Sequence, residues 1–223
     1  MLTRQLEESL NAFCAGYLRV AKDPDLSQLQ VWRELVTEQA ECPHPFAIYH
    51  RALRSPIDYY QLGLDLMRPL VDMPASQIVG VNILQEVTFC LRRGENVIFL
   101  ANHQTEPDPQ LIGLLLHKAG FPQLSEQLIC VAGHRVVQDP MAIPLSLGCN
   151  LLCIYSKKYV EQPPEQKREK IAHNQRTLQQ LKALLCEGGH AIFIAPSGGR
   201  DRIDGQGKMH VAHFSPESIE LLA

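Results

Sequence analysis

Along the first third of the chain, apolar positions recur at threes and fours. Leu2, Leu6, Leu10, Phe13, Tyr17 and Val20 fall on one helical face, and Asp23-Pro24 closes the segment, which predicts a helix over 2–20. Leu29, Trp32, Leu35 and Val36 predict a second over 26–40. A Pro-rich turn, C-P-H-P from Cys42, follows, and helical patterns continue over 47–53 and 56–67. Residues 1–75 read as helices only. After Pro74 the texture changes. Asn82 and Gln85 can cap a helix over 83–93 that Gly94 stops, and 96–101 (N-V-I-F-L-A) is a short apolar strand. A helix over 109–118 precedes a strand over 128–132, and a long helix over 165–186, ended by Gly188-Gly189, precedes a strand over 191–195. Near-continuous apolar strands bounded by helices imply an α/β protein with a largely parallel sheet covered on both faces.

Composition narrows the class. The 223 residues are 45% hydrophobic and 20% charged, which excludes a disordered or low-complexity protein. A formal net charge of −3 argues against nucleic acid as a partner and requires any anion site to be local. Seven cysteines without a C-x-x-C pair suit a reducing compartment rather than a disulfide or zinc framework, so no metal is expected. The absence of a ~18–20-residue apolar run predicts no membrane-spanning helix. The N-terminus resembles neither a signal peptide nor a transit peptide. The expected location is the cytoplasm, or the plastid stroma if a transit peptide has been removed.

In open α/β sheets the chemistry sits in loops beyond the carboxyl ends of strands. The loop after 96–101 reads N-H-Q-T-E-P-D-P and holds His103 and Asp108. Such a loop can turn the carboxylate onto one imidazole nitrogen, leaving the other as a base. Asp108 before Pro109 is equally a good helix N-cap, and H-x-x-x-x-D arises often by chance, so both readings stand. The loop after 191–195 reads A-P-S-G-G-R-D-R. Two glycines beside Arg200 and Arg202 suit a phosphate, and the alternative is a solvated turn in which Arg200, Asp201 and Arg202 pair with one another. A third loop, after 151–155, adds Lys157 and Lys158. Signatures of zinc hydrolysis, nucleotide binding and the serine-hydrolase elbow are missing. Ser197 therefore has little claim as a nucleophile, and cysteines such as Cys153 and Cys186 read as small core residues.

Together, N-H-Q-T-E-P-D-P, V-A-G-H-R-V, N-L-L-C-I-Y-S-K-K and I-A-P-S-G-G-R-D-R resemble, in order, the soluble glycerol-3-phosphate acyltransferases of plastids and some bacteria. With H-R-A-L-R-S-P-I-D-Y-Y and R-P-L-V-D upstream, the resemblance covers 42–204. It implies an N-terminal helical bundle, 1–75, followed by an α/β acyltransferase domain, 76–223, with a mostly parallel mixed sheet. The implied reaction moves a fatty acyl group from acyl carrier protein or coenzyme A to the sn-1 hydroxyl of glycerol-3-phosphate, with no cofactor. Carried over by motif, His103 and Asp108 form the general-base pair, and Lys158, Arg200 and Arg202 bind the phosphate. This chain departs from the family at Tyr159 (histidine in plant members), Cys149 (arginine) and His134 (aspartate in G-D-R). Family chains continue past the position of Ala223, which implies an incomplete domain. A monomer is expected, and peripheral contact with a membrane is compatible with the resemblance. Docking of an acidic acyl carrier protein has candidates in Arg92, Arg93 and Lys158, although the two arginines also suit a helix C-terminus. Two other readings share these motifs: a non-catalytic binder of acyl carrier protein or anionic lipid, and acylation of a lysophospholipid acceptor.

Overall fold

The computed structural model describes residues 3–216 other than Gly198, together with Ile219; of Lys157 and Lys158 it describes the backbone. The helical periodicity of the first segment folds as α1 (Arg4–Val20) and α2 (Leu26–Glu41). Thr3 caps α1 by accepting from the Leu6 amide, and Asp25 caps α2 by accepting from Ser27 and Gln28. The apolar stripes then meet. Leu10, Cys14, Tyr17, Leu29, Trp32 and Val36 share one core, and the Tyr17 hydroxyl donates to the Leu66 carbonyl at 3.0 Å.

The next segment departs from the expected pattern. Residues 47–53 are not a helix but contain β1 (Tyr49–His50), antiparallel to a later strand. Tertiary pairing outweighs helical propensity here. The Leu53 amide bonds to Leu147 O at 2.8 Å, the Ala52 amide bonds to the Asn150 side chain at 3.1 Å, and His50 is buried. The segment 1–75 is therefore not helical throughout. The helix expected from Pro56 begins later, as α3 (Tyr59–Met67), because Asp58 caps it by accepting from the Gln61 amide at 2.9 Å. Leu64 and Leu66 of α3 join the core of α1 and α2.

The remaining elements are α4 (Val81–Arg92), β2 (Val97–Leu100), α5 (Asp108–Lys118), α6 (Pro122–Gln127), β3 (Ile129–Gly133), α7 (Ile143–Ser146), β4 (Asn150–Ile154), α8 (Lys157–Val160), α9 (Lys167–Glu187), β5 (Ala191–Ile194), β6 (Arg202–Ile203) and β7 (Met209–His210). Gly80, at φ 81°, occupies the N-cap of α4 rather than Asn82. Five strands form one mixed sheet in the order β1-β4-β3-β5-β2, parallel except for β1. On one face Ile129, Leu152 and Ile192 pack on Leu181 and Leu184 of α9. On the other, Cys130, Leu151, Cys153 and Ala191 pack on Leu84, Val87, Leu116 and Leu124 of α4, α5 and α6. Each such fully buried aliphatic side chain contributes ~1.5–3 kcal/mol, so both covers are needed. Cys186, by contrast, is exposed and is no core residue. At Gly188 (φ +81°) a Cβ would run into the Gly94 carbonyl oxygen, which fixes glycine where α9 turns into β5.

Candidate active site

β2 and β5 are parallel neighbours in the register Leu100↔Ile194, so the loops that follow them leave the same sheet edge side by side. The first carries the histidine. His103 Nδ1 lies 2.8 Å from Asp108 Oδ2. A carboxylate only accepts, so Nδ1 carries the proton and Nε2 presents a lone pair, which has no hydrogen-bond partner among the described residues. The orienter is the more buried of the two, with side chains 30% exposed at His103 and 13% at Asp108.

Asp108 is not the N-cap of α5. Pro107 occupies that position, and the carboxylate turns back over its own loop, accepting from the Gln104 amide (3.0 Å), the Thr105 amide (2.9 Å) and Thr105 Oγ1 (3.0 Å). Burial raises its pKa, but the bonds from His103, Thr105 and Gln104 outweigh it and hold the group below the usual aspartate value. It is a fixed anion behind the imidazole.

The loop after β5 is tied to this one. The Asp201 amide donates to His103 O at 2.8 Å, and Asp201 Oδ1 accepts from the Ala212 amide at 2.8 Å. Arg200, Asp201 and Arg202 therefore do not pair among themselves. Arg200 instead reaches Glu106 Oε1 at 3.4 Å, both side chains being about half exposed (49% and 46%). Such a pair is worth little in stability and leaves the guanidinium against the histidine loop. Glu106 was not singled out by sequence, although an acid between base and orienter, set against an arginine loop, was the available signal. Arg202 opens the exposed hairpin of β6 and β7, opposite His210, and its side chain makes no hydrogen bond or ion pair with the histidine loop among the described residues. Ser197 Oγ donates to Gly199 O at 2.9 Å.

Lys158 stands on α8, beyond β4, and its side chain lies outside the described residues, as does that of Lys157. With strands about 4.8 Å apart, β4 is about 14 Å along the edge from β2, so a shared ligand would have to span that distance or draw α8 inward. Arg92 and Arg93 end α4 where the chain enters β2. That is the edge opposite His103, so they do not border the site. Arg93 instead pairs with Glu95 at 3.0 Å.

The departures from the family pattern bring no further cation. His134, after β3, places Nε2 2.7 Å from the Tyr155 hydroxyl. Burial above all, then His173 and Lys170, lowers its pKa to about 4, so it is neutral near pH 7. Burial pushes the Cys149 thiol up to about 12, and Gln110 Nε2 donates to its Sγ at 3.3 Å. Tyr159 is half exposed.

Comparison with known proteins adds to this geometry. The acyltransferase family model matches residues 82–221. Chloroplastic glycerol-3-phosphate acyltransferase of Spinacia oleracea is 43% identical over 194 residues, which are 87% of this chain and 41% of that protein. The one from Arabidopsis thaliana is 38% identical over 211 residues, 94% of this chain and 46% of its own length. A Cucurbita moschata relative is 40% identical over 196 residues, 87% and 42% respectively. The chain thus spans less than half the length of these relatives.

Proposed function

The chain belongs to the acyltransferase family, and on that premise we propose that it transfers a fatty acyl group from an acyl carrier protein or coenzyme A thioester to the sn-1 hydroxyl of glycerol-3-phosphate. One observation carries the proposal: a histidine whose Nδ1 is held 2.8 Å from a partly buried carboxylate while Nε2 stays open at the sheet edge. Nε2 takes the proton of the attacking hydroxyl as its oxygen adds to the thioester carbonyl. Asp108 stabilises the imidazolium so formed. The tetrahedral species then collapses, the C–S bond breaks, and the imidazolium returns the proton to the departing thiolate.

The names of the relatives supply the acceptor, and Arg200 pairs with Glu106 of the histidine loop itself. Arg200 and Arg202, with Lys158, are proposed to hold its phosphate, each charge-assisted bond being worth ~1.5–3 kcal/mol. A plastid setting is part of the proposal on the relatives' names. So is the division into a mainly helical segment, 1–75, which lends β1 to the sheet, and an acyltransferase domain, 76–223, supported by a family match that begins at residue 82.

The test is direct. The chain is incubated with labelled acyl-acyl carrier protein or acyl-coenzyme A and with glycerol-3-phosphate, and the lipid product is resolved. A 1-acyl product is expected. Acylation of lysophospholipid alone, or binding of donor with no turnover, overturns the reading in favour of the two alternatives.

A further inference from the structure

Four side chains on one face of α9 hold the backbone that leads from β4 into α8. Thr177 Oγ1 and His173 Nε2 both lie 2.9 Å from Cys153 O. Asn174 makes a two-way bond with Tyr155, accepting from its amide and donating to its carbonyl, both at 2.8 Å. One turn earlier, Lys170 Nζ donates to Tyr159 O at 3.0 Å and to Gln162 O, and lies 5.4 Å from the centre of the Tyr155 ring. Positions 170, 173, 174 and 177 share a helical face, so the contacts form a single row along the segment 153–162.

Lys170 is the unusual member. It is 8% exposed, and no carboxylate pairs with it among the described residues. Its charge is met by two carbonyl dipoles and an aromatic face. A buried ammonium in that setting bears a desolvation cost that an apolar side chain of similar length would avoid. The two carbonyls it gathers belong to Tyr159, inside α8, and Gln162, just past it. Four residues are too few to hold a helix by their own hydrogen bonds, since nucleation is unfavourable. The tether from α9 therefore helps to keep α8 in position, beside the exposed pair of Lys167 with Glu161 at 2.7 Å.

We propose that Lys170 is a positioning residue: it fixes the segment 155–162 on α9 and so sets the backbone that presents Lys158 and Tyr159 to the anionic end of the acceptor. This rests on the reading of Lys158 as a phosphate ligand. It acts through that backbone and touches no reacting atom.

Two measurements test it. In Lys170→Met, amide hydrogen exchange of Tyr159 and Val160, which bond to Ser156 O at 2.9 Å, should accelerate at least tenfold while amides of β3, β4 and β5 keep their protection. Lys170→Gln, whose shorter, neutral amide still donates, should fall between. Unchanged exchange at Tyr159 and Val160, or acceleration spread evenly over the sheet, overturns the tether. In steady state, Lys170→Met should raise the glycerol-3-phosphate KM about tenfold, leaving the acyl-donor KM within twofold. On a Lys158→Ala background the same change should add less than twofold, as coupled residues do. An equal effect on both backgrounds overturns action through Lys158. If Lys158→Ala alone leaves the acceptor KM unmoved, the phosphate reading of Lys158 has failed, and the exchange data still decide the tether.

Discussion

The backbone amide of Asp201 donates a 2.8 Å hydrogen bond to the carbonyl of His103. Through it, the arginine loop after β5 and the base loop after β2 behave as one unit, and the link needs no side chain of either residue. Arg200 is thereby held next to the histidine by main chain rather than by its exposed ion pair with Glu106.

Arg200→Ala should therefore leave the loop in place. Its midpoint of unfolding should change little, because an exposed pair is worth ~0–1 kcal/mol, whereas glycerol-3-phosphate should bind tenfold or more weaker. Calorimetry of the acceptor against both proteins checks this. Equal heats and dissociation constants would make the loop a solvated turn.

Asp108→Asn separates orientation from folding only in part, because the carboxylate accepts four bonds with its two oxygens. An amide has one oxygen and cannot reproduce them. Turnover should fall ~10²–10⁴-fold and stability by ~1–3 kcal/mol together. A loss of stability with turnover intact would reduce Asp108 to a loop clamp.

His134 gives a pH dependence. Its folded pKa of about 4 lies below the ordinary 6.5, so the unfolded chain takes up the proton first as pH falls. The contribution of His134 is complete above about pH 6.5 and is lost as pH falls towards 4, by less than the ~1.4 kcal/mol per pH unit of a fully shielded group because the ring is only half buried. His50, also lowered by burial, adds a loss of the same sign. Denaturant titrations from pH 7 to 4.5 should show a shallower loss in His134→Gln than in the unaltered chain. Parallel curves would contradict the burial argument.

Gly148 sits under the start of α3. A Cβ there would lie 2.5 Å from Tyr59 C and 2.7 Å from the Tyr60 amide nitrogen. Gly148→Ala should destabilise by ~1–3 kcal/mol, since backbone on both sides cannot yield cheaply. A thermal midpoint equal to that of the unaltered chain would show that the helix slides instead.

The parts of the fold legible in the sequence are those set by local periodicity. α1, α2 and α9 carry long apolar stripes with stops at Asp23-Pro24 and Gly188-Gly189, and β2, β3 and β5 are short apolar runs between helices. β1 was hidden because two residues hold no pattern; the register Tyr49↔Leu152 creates that strand. The site divides in the same way. His103 and Asp108 meet within one short loop, so their spacing allowed the contact, with the helix-cap reading open beside it until the structure placed Pro107 at the cap. The bond from Arg200 to Glu106 depends on β5 lying beside β2, which no local pattern encodes.

The role of His103 is tested by the rate of acyl transfer to glycerol-3-phosphate in His103→Ala, measured beside its affinity for the acceptor. Losing the general base should lower kcat ~10²–10⁴-fold, with the dissociation constant of glycerol-3-phosphate and the unfolding midpoint nearly unchanged. Turnover equal to that of the unaltered chain would contradict the assignment of His103 as the base.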